Sequence, residues 1–242
     1  MSVPRAVLLD ALGTLVELEP PAEPLRRELR DRLGLELSVA QAEAALRAEI
    51  AFYRAHHDEA SDWTRLADLR RRSAIALRDA LPPAAADLPL APLTEALLAA
   101  LRFRPFAEVG DVLRSARERG ARLVVVSNWD VSLHDVLATT GLASLLDGVV
   151  ISAEVGCAKP TPQIFVRALA LAGVTADEAI HVGDSVEHDV AGARAAGIEP
   201  LLVLRGDASP PSGVRTIRTL RGLLDVLPTV DRRDVRPRTL ER

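Results

Sequence analysis

The chain has 242 residues, of which 48% are hydrophobic and 26% are charged, and its formal net charge is −4. This length and composition predict a globular protein with a sizeable core, and the small negative charge gives no indication of a nucleic-acid-binding or membrane-binding surface. The single cysteine, Cys157, excludes an internal disulfide and is typical of a reducing compartment. No run approaches the roughly 18 apolar residues of a membrane span, and the N-terminus runs directly into a strand-like segment, so we expect a cytoplasmic protein.

The first predicted element is a strand at AVLLD, residues 6–10, whose continuous apolar run is typical of strands covered on both faces. From Pro20 to about Leu101, Ala, Leu and Arg recur with helical spacing, and no strand is expected there. The predicted helices of this stretch are Glu23–Leu33, Val39–His57, Asp62–Leu81 and Leu93–Leu101. Gly34 and the segment PPAAADLPLAP supply the helix stops.

Strands and helices alternate after residue 103. The predicted strands are Arg122–Ser127, Gly148–Ser152, Ala179–Val182 and Pro200–Leu204. The predicted helices are Val109–Arg119, Val131–Thr140, Pro162–Ala172 and Val186–Ala196. This alternation favours an α/β fold with a parallel sheet between helices, and the earlier all-helical stretch is then an insertion after the first strand. The polar tail Thr229–Arg242 is expected to fray.

Polar side chains follow four of the predicted strands. They are Asp10, the pair Ser127 and Asn128, Lys159 after a short loop, and Asp184. Each has an ordinary structural interpretation, such as a turn residue, a helix cap or a surface lysine. Ligands of open parallel sheets bind beyond the carboxyl ends of the strands, however, so we expect these side chains to converge on one cleft.

Asp10 is the candidate nucleophile, because a carboxylate can split a difficult displacement into two steps through a covalent intermediate. Thr14 could hydrogen-bond this carboxylate, and the hydroxyl of Ser127 and the amide of Asn128 suit an anionic group. Lys159 is the only lysine among the 30 cationic residues, which favours a specific buried role over a surface position.

The segment HVGDSVEHD carries two aspartates, Asp184 and Asp189, after a predicted strand. They could cap and salt-bridge the following helix, or they could supply oxygen ligands to Mg²⁺, which prefers carboxylates and waters. His188 is interpreted as a residue of the cleft rim, because hard Mg²⁺ disfavours imidazole.

Four segments, in this order, resemble the motifs of the haloacid dehalogenase superfamily of hydrolases: DALGTL, VVVSNWD, CAKPTPQIF and HVGDSVEHD. The resemblance implies a Rossmann-like core at residues 1–18 and 103–228, with a four-helix cap at residues 19–102 and a flexible tail at residues 229–242. It also implies catalytic roles for Asp10, Thr14, Ser127 and Lys159, substrate binding by Ser127, Asn128 and Lys159, and a metal at Asp10, Leu12, Asp184 and Asp189.

The departure from the family pattern is Leu12. In the phosphatases of the family this position is an aspartate whose carbonyl binds Mg²⁺ and whose side chain is the general acid. Leu12 keeps the carbonyl and loses the acid. Dehalogenating members also lack this aspartate but typically have a fourth motif without a metal, whereas GDSVEHD keeps the acidic residues of the phosphatases. Phosphonate-cleaving members require a cap lysine, which residues 16–105 do not contain.

Three hypotheses follow from this mixture of motifs. The leading one is a Mg²⁺-dependent hydrolase of small phosphate monoesters that forms an aspartyl-phosphate on Asp10. The second is a metal-free dehalogenase of small 2-haloacids, and the third is a binding protein that keeps the fold with weak or no catalysis. We favour the first, because two clustered acids without a cation would repel each other.

Overall fold

The computed structural model describes residues 4–228, so the predicted tail at residues 229–242 lies outside the described residues. Within this range the strands are β1 (Ala6–Leu9), β2 (Val16–Leu18), β3 (Phe103–Pro105), β4 (Arg122–Ser127), β5 (Gly148–Ile151), β6 (Ala179–Gly183), β7 (Glu199–Val203) and β8 (Arg215–Ile217). Six of them form one sheet in the order β5-β4-β1-β6-β7-β8, and every neighbouring pair in it is parallel.

The α-helices of residues 4–228 are α1 (Ala22–Leu33), α2 (Val39–His56), α3 (Trp63–Asp79), α4 (Leu90–Ala100), α5 (Val109–Glu118), α6 (Leu133–Thr139), α7 (Ser152–Val155), α8 (Pro162–Ala172) and α9 (Ala191–Ala195). None of the helices in this described range is both long and apolar enough to cross a bilayer.

The central strand β1 is buried on both faces, as its apolar run predicts. Val7 and Leu9 lie in the hydrophobic cluster that includes Leu113 of α5. Ala6 and Leu8 lie in the cluster that includes Phe165 of α8, on the opposite face. Successive side chains of a strand point to opposite faces, so one short strand supplies two separate cores. The prediction of an α/β fold with a parallel sheet between helices is confirmed.

Helices α1 to α4 pack on one another and bury a third hydrophobic cluster, which includes Leu25, Leu29, Leu77, Leu93 and Leu97. We refer to residues 19–102 as the helical insert. The Ser38 hydroxyl accepts from the Gln41 N–H at the start of α2, and Gly34 ends α1 with φ of 65°. These are ordinary helix start and stop signals.

The structure differs from the sequence-based elements at several places, which include strand β8 and the four-residue helix α7, both absent from the predicted set. Strands β2 and β3 form a small antiparallel pair at the two ends of the insert, and three-residue strands are too short to show a periodic pattern. Helix α4 begins at Leu90, earlier than predicted, because Pro92 is tolerated in the first turn of a helix, where its missing N–H costs nothing. The predicted helix Val186–Ala196 is divided into a π-helical turn, Val186–Val190, and α9.

Candidate active site

The carboxyl ends of the central strands meet at one edge of the sheet. Leu9 of β1 pairs with Val125 of β4 and with Val182 of β6, so the residues that follow these strands lie side by side. The Asp10 N–H donates to the Val182 carbonyl at 2.9 Å. Five residues proposed from the sequence come together here: Asp10, Ser127, Lys159, Asp184 and Asp189.

Lys159 joins two of the carboxylates. Its Nζ donates to Asp10 Oδ1 and to Asp189 Oδ1, each at 2.6 Å, and the residue is only 4% exposed. Burial by itself would lower the pKa of the ammonium, but the two carboxylates outweigh it and raise the pKa of Lys159. The only lysine of the chain is therefore held as a buried cation.

The two carboxylates that share Lys159 differ in acidity. Burial disfavours ionisation of both, and it raises the pKa of Asp10 to about 6 against the lowering effect of Lys159. Asp189 also accepts from His181 Nε2 and from the Ser185 N–H, both at 2.9 Å. Because bonds to the charged form favour it, Lys159 and His181 hold the pKa of Asp189 well below its usual range.

Asp184 is the exposed member of the acidic group. Desolvation and the nearby charge of Asp189 raise its pKa. Its carboxylate packs against Gly13, where a Cβ would overlap the Asp184 oxygen, and Gly13 has φ of 83°. Both constraints require glycine at this turn. Gly183 is constrained in a similar way, since a Cβ there would overlap the Asp189 carboxylate.

The donor set fits a hard divalent cation. One carboxylate oxygen from each of Asp10, Asp184 and Asp189 lies within 4.8 Å of the others. The Leu12 carbonyl accepts no hydrogen bond within residues 4–228. Lys159 supplies one positive charge beside three acidic groups, so the arrangement has unused negative charge and unused oxygen donors. Mg²⁺ prefers such oxygen ligands.

Ser127 and Asn128 take different positions after β4. The Ser127 hydroxyl donates to Asp10 Oδ1 at 3.2 Å. The Asn128 amide instead forms two hydrogen bonds to the main chain of Lys159. It donates to the Lys159 carbonyl at 2.9 Å and accepts from the Lys159 N–H at 2.7 Å. In this structure Asn128 therefore positions the lysine, while its side chain also borders the cavity described below.

The predicted hydrogen bond between Thr14 and Asp10 is absent. The main chain of Thr14 is fixed in the turn after β1, where its N–H donates to the Ala11 carbonyl and its carbonyl accepts from Arg205. Its side chain is completely buried, and the Oγ1 atom has no hydrogen-bond partner among the residues described. Leu12, two residues earlier, is 40% exposed and borders the cavity.

Sequence reasoning missed Arg205, which braces this turn. Arg205 Nε donates to the Gly13 carbonyl at 3.1 Å and Nη2 donates to the Thr14 carbonyl at 3.0 Å. Nη1 donates to Glu108 Oε1 at 2.8 Å, and the guanidinium lies 3.4 Å from the centroid of the Phe106 ring. Arg205 comes just after β7, so the rule that examines polar residues at strand ends would have found it.

His181, which the sequence analysis also missed, lies in the middle of β6 beneath Asp189. It is fully buried and stacks edge-on against Phe165, with ring centroids 4.9 Å apart. The signal was present in AIHV, because a histidine inside an apolar strand needs a buried partner.

A cavity of about 1200 Å³ lies between the sheet edge and the helical insert. From the sheet side it is bordered by Asp10, Ser127, Lys159, Asp184 and Asp189, and from the insert by Glu49, Tyr53, Leu66, Arg70 and Leu97. The site residues thus face a chamber whose other wall comes from the insert.

Three polar contacts hold the insert against the loops of the sheet edge. Tyr53 Oη donates to Asp130 Oδ2 at 2.7 Å, and the Val131 N–H donates to the Ala60 carbonyl at 3.1 Å. The Ser152 hydroxyl hydrogen-bonds to Asp58. Trp129, beside these contacts, packs edge-on against Phe103 with centroids 5.2 Å apart.

Comparison with protein families decides the membership of this chain. The model of the haloacid dehalogenase-like hydrolases matches residues 4–197. The chain belongs to this family. The resemblance inferred from the four motifs is confirmed, and the family that the chain belongs to is one of hydrolases.

Curated members of the family include a phosphoserine phosphatase of Thermus thermophilus, which is 33% identical over 88% of this chain and 96% of its own length. The bovine haloacid dehalogenase-like hydrolase domain-containing protein 3 is 40% identical, over 49% of each chain. The chain thus spans about half the length of the mammalian curated relatives that it matches.

Two solved structures of the family are each 26% identical to this chain. A phosphatase from Thermococcus onnurineus superposes with a TM-score of 0.61, covering 92% of this chain and 97% of its own. A 2-haloacid dehalogenase from Pseudomonas syringae superposes with a TM-score of 0.63 and the same coverage of both chains. Similarity of the backbone therefore does not separate these two chemistries.

Proposed function

We propose that this hydrolase cleaves small phosphate monoesters with Asp10 as the nucleophile and with Mg²⁺ held by Asp10, Asp184, Asp189 and the Leu12 carbonyl. The observation that carries the proposal is the group of three carboxylates whose oxygens lie within 4.8 Å of one another. Lys159 supplies only one positive charge to this group, and like charges at short range oppose the ionisation of the remaining carboxylates unless a further cation is bound. The similarity to a phosphatase over most of both chains supports the same reaction.

The first step is the attack of Asp10 on phosphorus. Oδ1 already accepts from Lys159 and Ser127, so Oδ2 is the oxygen free to react. An Oδ2–P bond forms, the bond from phosphorus to the ester oxygen breaks, and the leaving oxygen takes a proton from water as the alcohol departs. In the second step water attacks phosphorus, the Oδ2–P bond breaks, and inorganic phosphate leaves with Asp10 restored.

The other residues orient Asp10 and neutralise the charge of the phosphoryl group. Lys159 holds Asp10 in place and offers positive charge to the phosphoryl oxygens, and Asn128 fixes the main chain that carries Lys159. The Ser127 hydroxyl, which donates to Asp10 Oδ1 in the absence of substrate, would donate to the same phosphoryl oxygens when an ester is bound. When bound, Mg²⁺ would polarise a phosphoryl oxygen and offset the charge that develops there.

We also propose that residues 1–18 and 103–228 form the catalytic core and that the insert, residues 19–102, acts as a cap. The contacts from Tyr53 and Asp58 to the loops of the sheet edge support this division. A cap over the cavity would exclude water and select the alcohol of the ester.

A second candidate is a metal-free 2-haloacid dehalogenase, in which Asp10 attacks carbon. Leu12 favours it, because the general acid of a phosphatase is missing at that position. A third candidate is a binding protein that keeps the fold with little catalysis, which the same missing acid would also explain.

The test is an assay of the purified protein on p-nitrophenyl phosphate, on a panel of phosphate monoesters and on 2-chloropropionate. Each assay is run with Mg²⁺ and with EDTA, and Asp10→Asn serves as the control for contaminating phosphatase. We expect release of phosphate that EDTA and Asp10→Asn both abolish. Chloride release that resists EDTA would instead establish the dehalogenase, and no turnover of any compound would favour the binding protein.

A further inference from the structure

Glu49 is a buried carboxyl in the wall that the insert contributes to the cavity. It lies on α2, is 3% exposed, and borders the same chamber as Asp10. Its neighbours along this wall are largely apolar and include Leu66, Leu69 and Leu97. Among the described residues it forms no ion pair, although Arg70 borders the same cavity. A buried carboxylate without an ionic partner is rare.

Ser73 is a second buried polar residue on this wall of the cavity. It lies on α3, is 3% exposed, and borders the cavity. Apart from the Glu49 carboxyl, its Oγ has no hydrogen-bond partner within residues 4–228. Buried hydroxyls are normally hydrogen-bonded, so this one gives its proton to Glu49 or to a group bound in the cavity.

The two side chains belong to one polar spot. Burial raises the pKa of Glu49 to about 7, and the hydrogen bond from the Ser73 hydroxyl opposes this rise. The single proton of this hydroxyl leaves the other acceptor positions of the Glu49 carboxyl without a donor, on a wall that includes several leucines. A ligand group that donates hydrogen bonds matches this pair, whereas a group that only accepts them would meet the oxygens of Glu49 unfavourably.

We propose that Glu49 and Ser73 form a subsite for the alcohol part of the substrate, and that they select phosphate monoesters whose alcohol carries a hydrogen-bond donor. The donor is an ammonium or a hydroxyl. The proposal rests on the proposed function, because the phosphoryl end of the same molecule must lie at Asp10. Beyond the proposed function, the subsite specifies which esters are preferred and which residues of the insert determine that preference.

The experiment compares phosphates of matched chain length that end in an amine, a hydroxyl or a methyl group. The variants are Glu49→Gln, which keeps the shape of the side chain, Ser73→Ala, and Glu43→Gln, an exposed control on the same helix. p-Nitrophenyl phosphate measures the basal reaction, and thermal melting verifies that each variant is folded. Matching phosphonates, which cannot be hydrolysed, are titrated by calorimetry so that the preference is also measured without turnover.

We expect the donor-bearing esters to exceed the methyl-terminated ones in kcat/KM by about 10- to 100-fold, as for hydrogen bonds to charged groups. Glu49→Gln should remove this preference for the amine and reduce it for the hydroxyl, mainly through KM, while Glu43→Gln should leave it unchanged. The amine and hydroxyl series then tell which donor the subsite takes.

Equal kcat/KM and equal phosphonate affinity across the three series would overturn the subsite, as would an equal effect of Glu49→Gln on all of them. Failure of the proposed function has a different signature, since p-nitrophenyl phosphate would then not be cleaved by the parent protein. In that case the phosphonate titration still decides whether Glu49 distinguishes the amine from the methyl group.

Discussion

At the scale of single residues, the main chain and the side chain of Leu12 have different consequences for the candidate site. Its carbonyl accepts no hydrogen bond within residues 4–228, whereas its side chain borders the cavity and carries no acid that could protonate a departing alcohol. The proposed phosphatase therefore has all three acidic residues of the metal site but gives its leaving groups little help from a general acid.

Leu12→Asp should restore that help. General acid catalysis is typically worth about 10²- to 10⁴-fold, and it matters most for esters with poor leaving groups. We expect the variant to raise kcat/KM for alkyl phosphates more than for aryl phosphates, which need little protonation. Leu12→Asn is the matched control, because it is polar and of similar size to Asp but carries no acidic proton. An unchanged alkyl-to-aryl ratio in a folded, Mg²⁺-binding Leu12→Asp protein would show that no missing acid limits the enzyme.

Glu49 gives a prediction about stability and pH. Burial raises its pKa from 4.5 to about 7 in the folded state, so the unfolded chain ionises first as the pH rises. The free energy of unfolding should therefore fall between those two pH values and level off above the higher one. Glu49→Gln removes this loss and should be more stable than the parent above neutral pH, by up to about 3 kcal/mol, and similar to it in acid.

Denaturant unfolding at a series of pH values measures this difference, with Glu43→Gln as the exposed control on α2. A gap between Glu49→Gln and the parent that stays constant from acid to alkaline pH would mean that Glu49 is not buried as described.

At the scale of elements, the turn after β1 depends on a residue from a distant strand. Arg205 follows β7, and its guanidinium reaches the carbonyls of Gly13 and Thr14 together with Glu108. The turn carries the main chain from Asp10 to Thr14, so its shape sets the position of Asp10 relative to Asp184.

Arg205→Lys should loosen this turn, because a single ammonium cannot serve two carbonyls and a carboxylate in the geometry of the guanidinium fork. We expect a loss of about 1–3 kcal/mol in the free energy of unfolding and a lower kcat/KM on p-nitrophenyl phosphate. Arg104→Lys is the control, since the Arg104–Glu17 ion pair is exposed and such pairs contribute little. Equal losses in the two variants would refute the bracing role of Arg205.

Elements differ in how well sequence anticipates them. Strands β1, β4, β5, β6 and β7 could be predicted because their apolar runs are bounded by glycine and polar residues, whereas the parallel edge strand β8, with the sequence RTI, has no such run. The pair β2–β3 could not, since three residues do not show a period and their pairing joins positions that are 87 residues apart, as in Glu17 and Arg104. The π-helical turn at Val186–Val190 was also missed, because the spacing of its apolar residues resembles that of an ordinary helix. The Asp189 side chain in this turn points inward and is bonded to Lys159 and His181.

At the scale of the whole molecule, the strand order of the sheet decides which residues lie together at the candidate site. With β1 between β4 and β6, the ends of three strands adjoin, and this placement of Asp10, Ser127 and Asp184 could be argued from strand ends alone. The residues of the opposite wall of the cavity could not be predicted in this way. Glu49 and Ser73 lie on apolar-patterned helices of the insert, and only the packing of α2 and α3 over the sheet edge shows that they face the site.

The central claim is that Asp10 forms a covalent bond to phosphorus with Mg²⁺ present. The most direct measurement is an acid quench of the enzyme during turnover of a ³²P-labelled phosphate ester, followed by mapping of the labelled peptide. We predict label on the peptide that contains Asp10 in the parent protein with Mg²⁺, and none in Asp10→Asn or after EDTA. Steady turnover without any label on that peptide, or equal labelling of Asp10→Asn, would contradict the account.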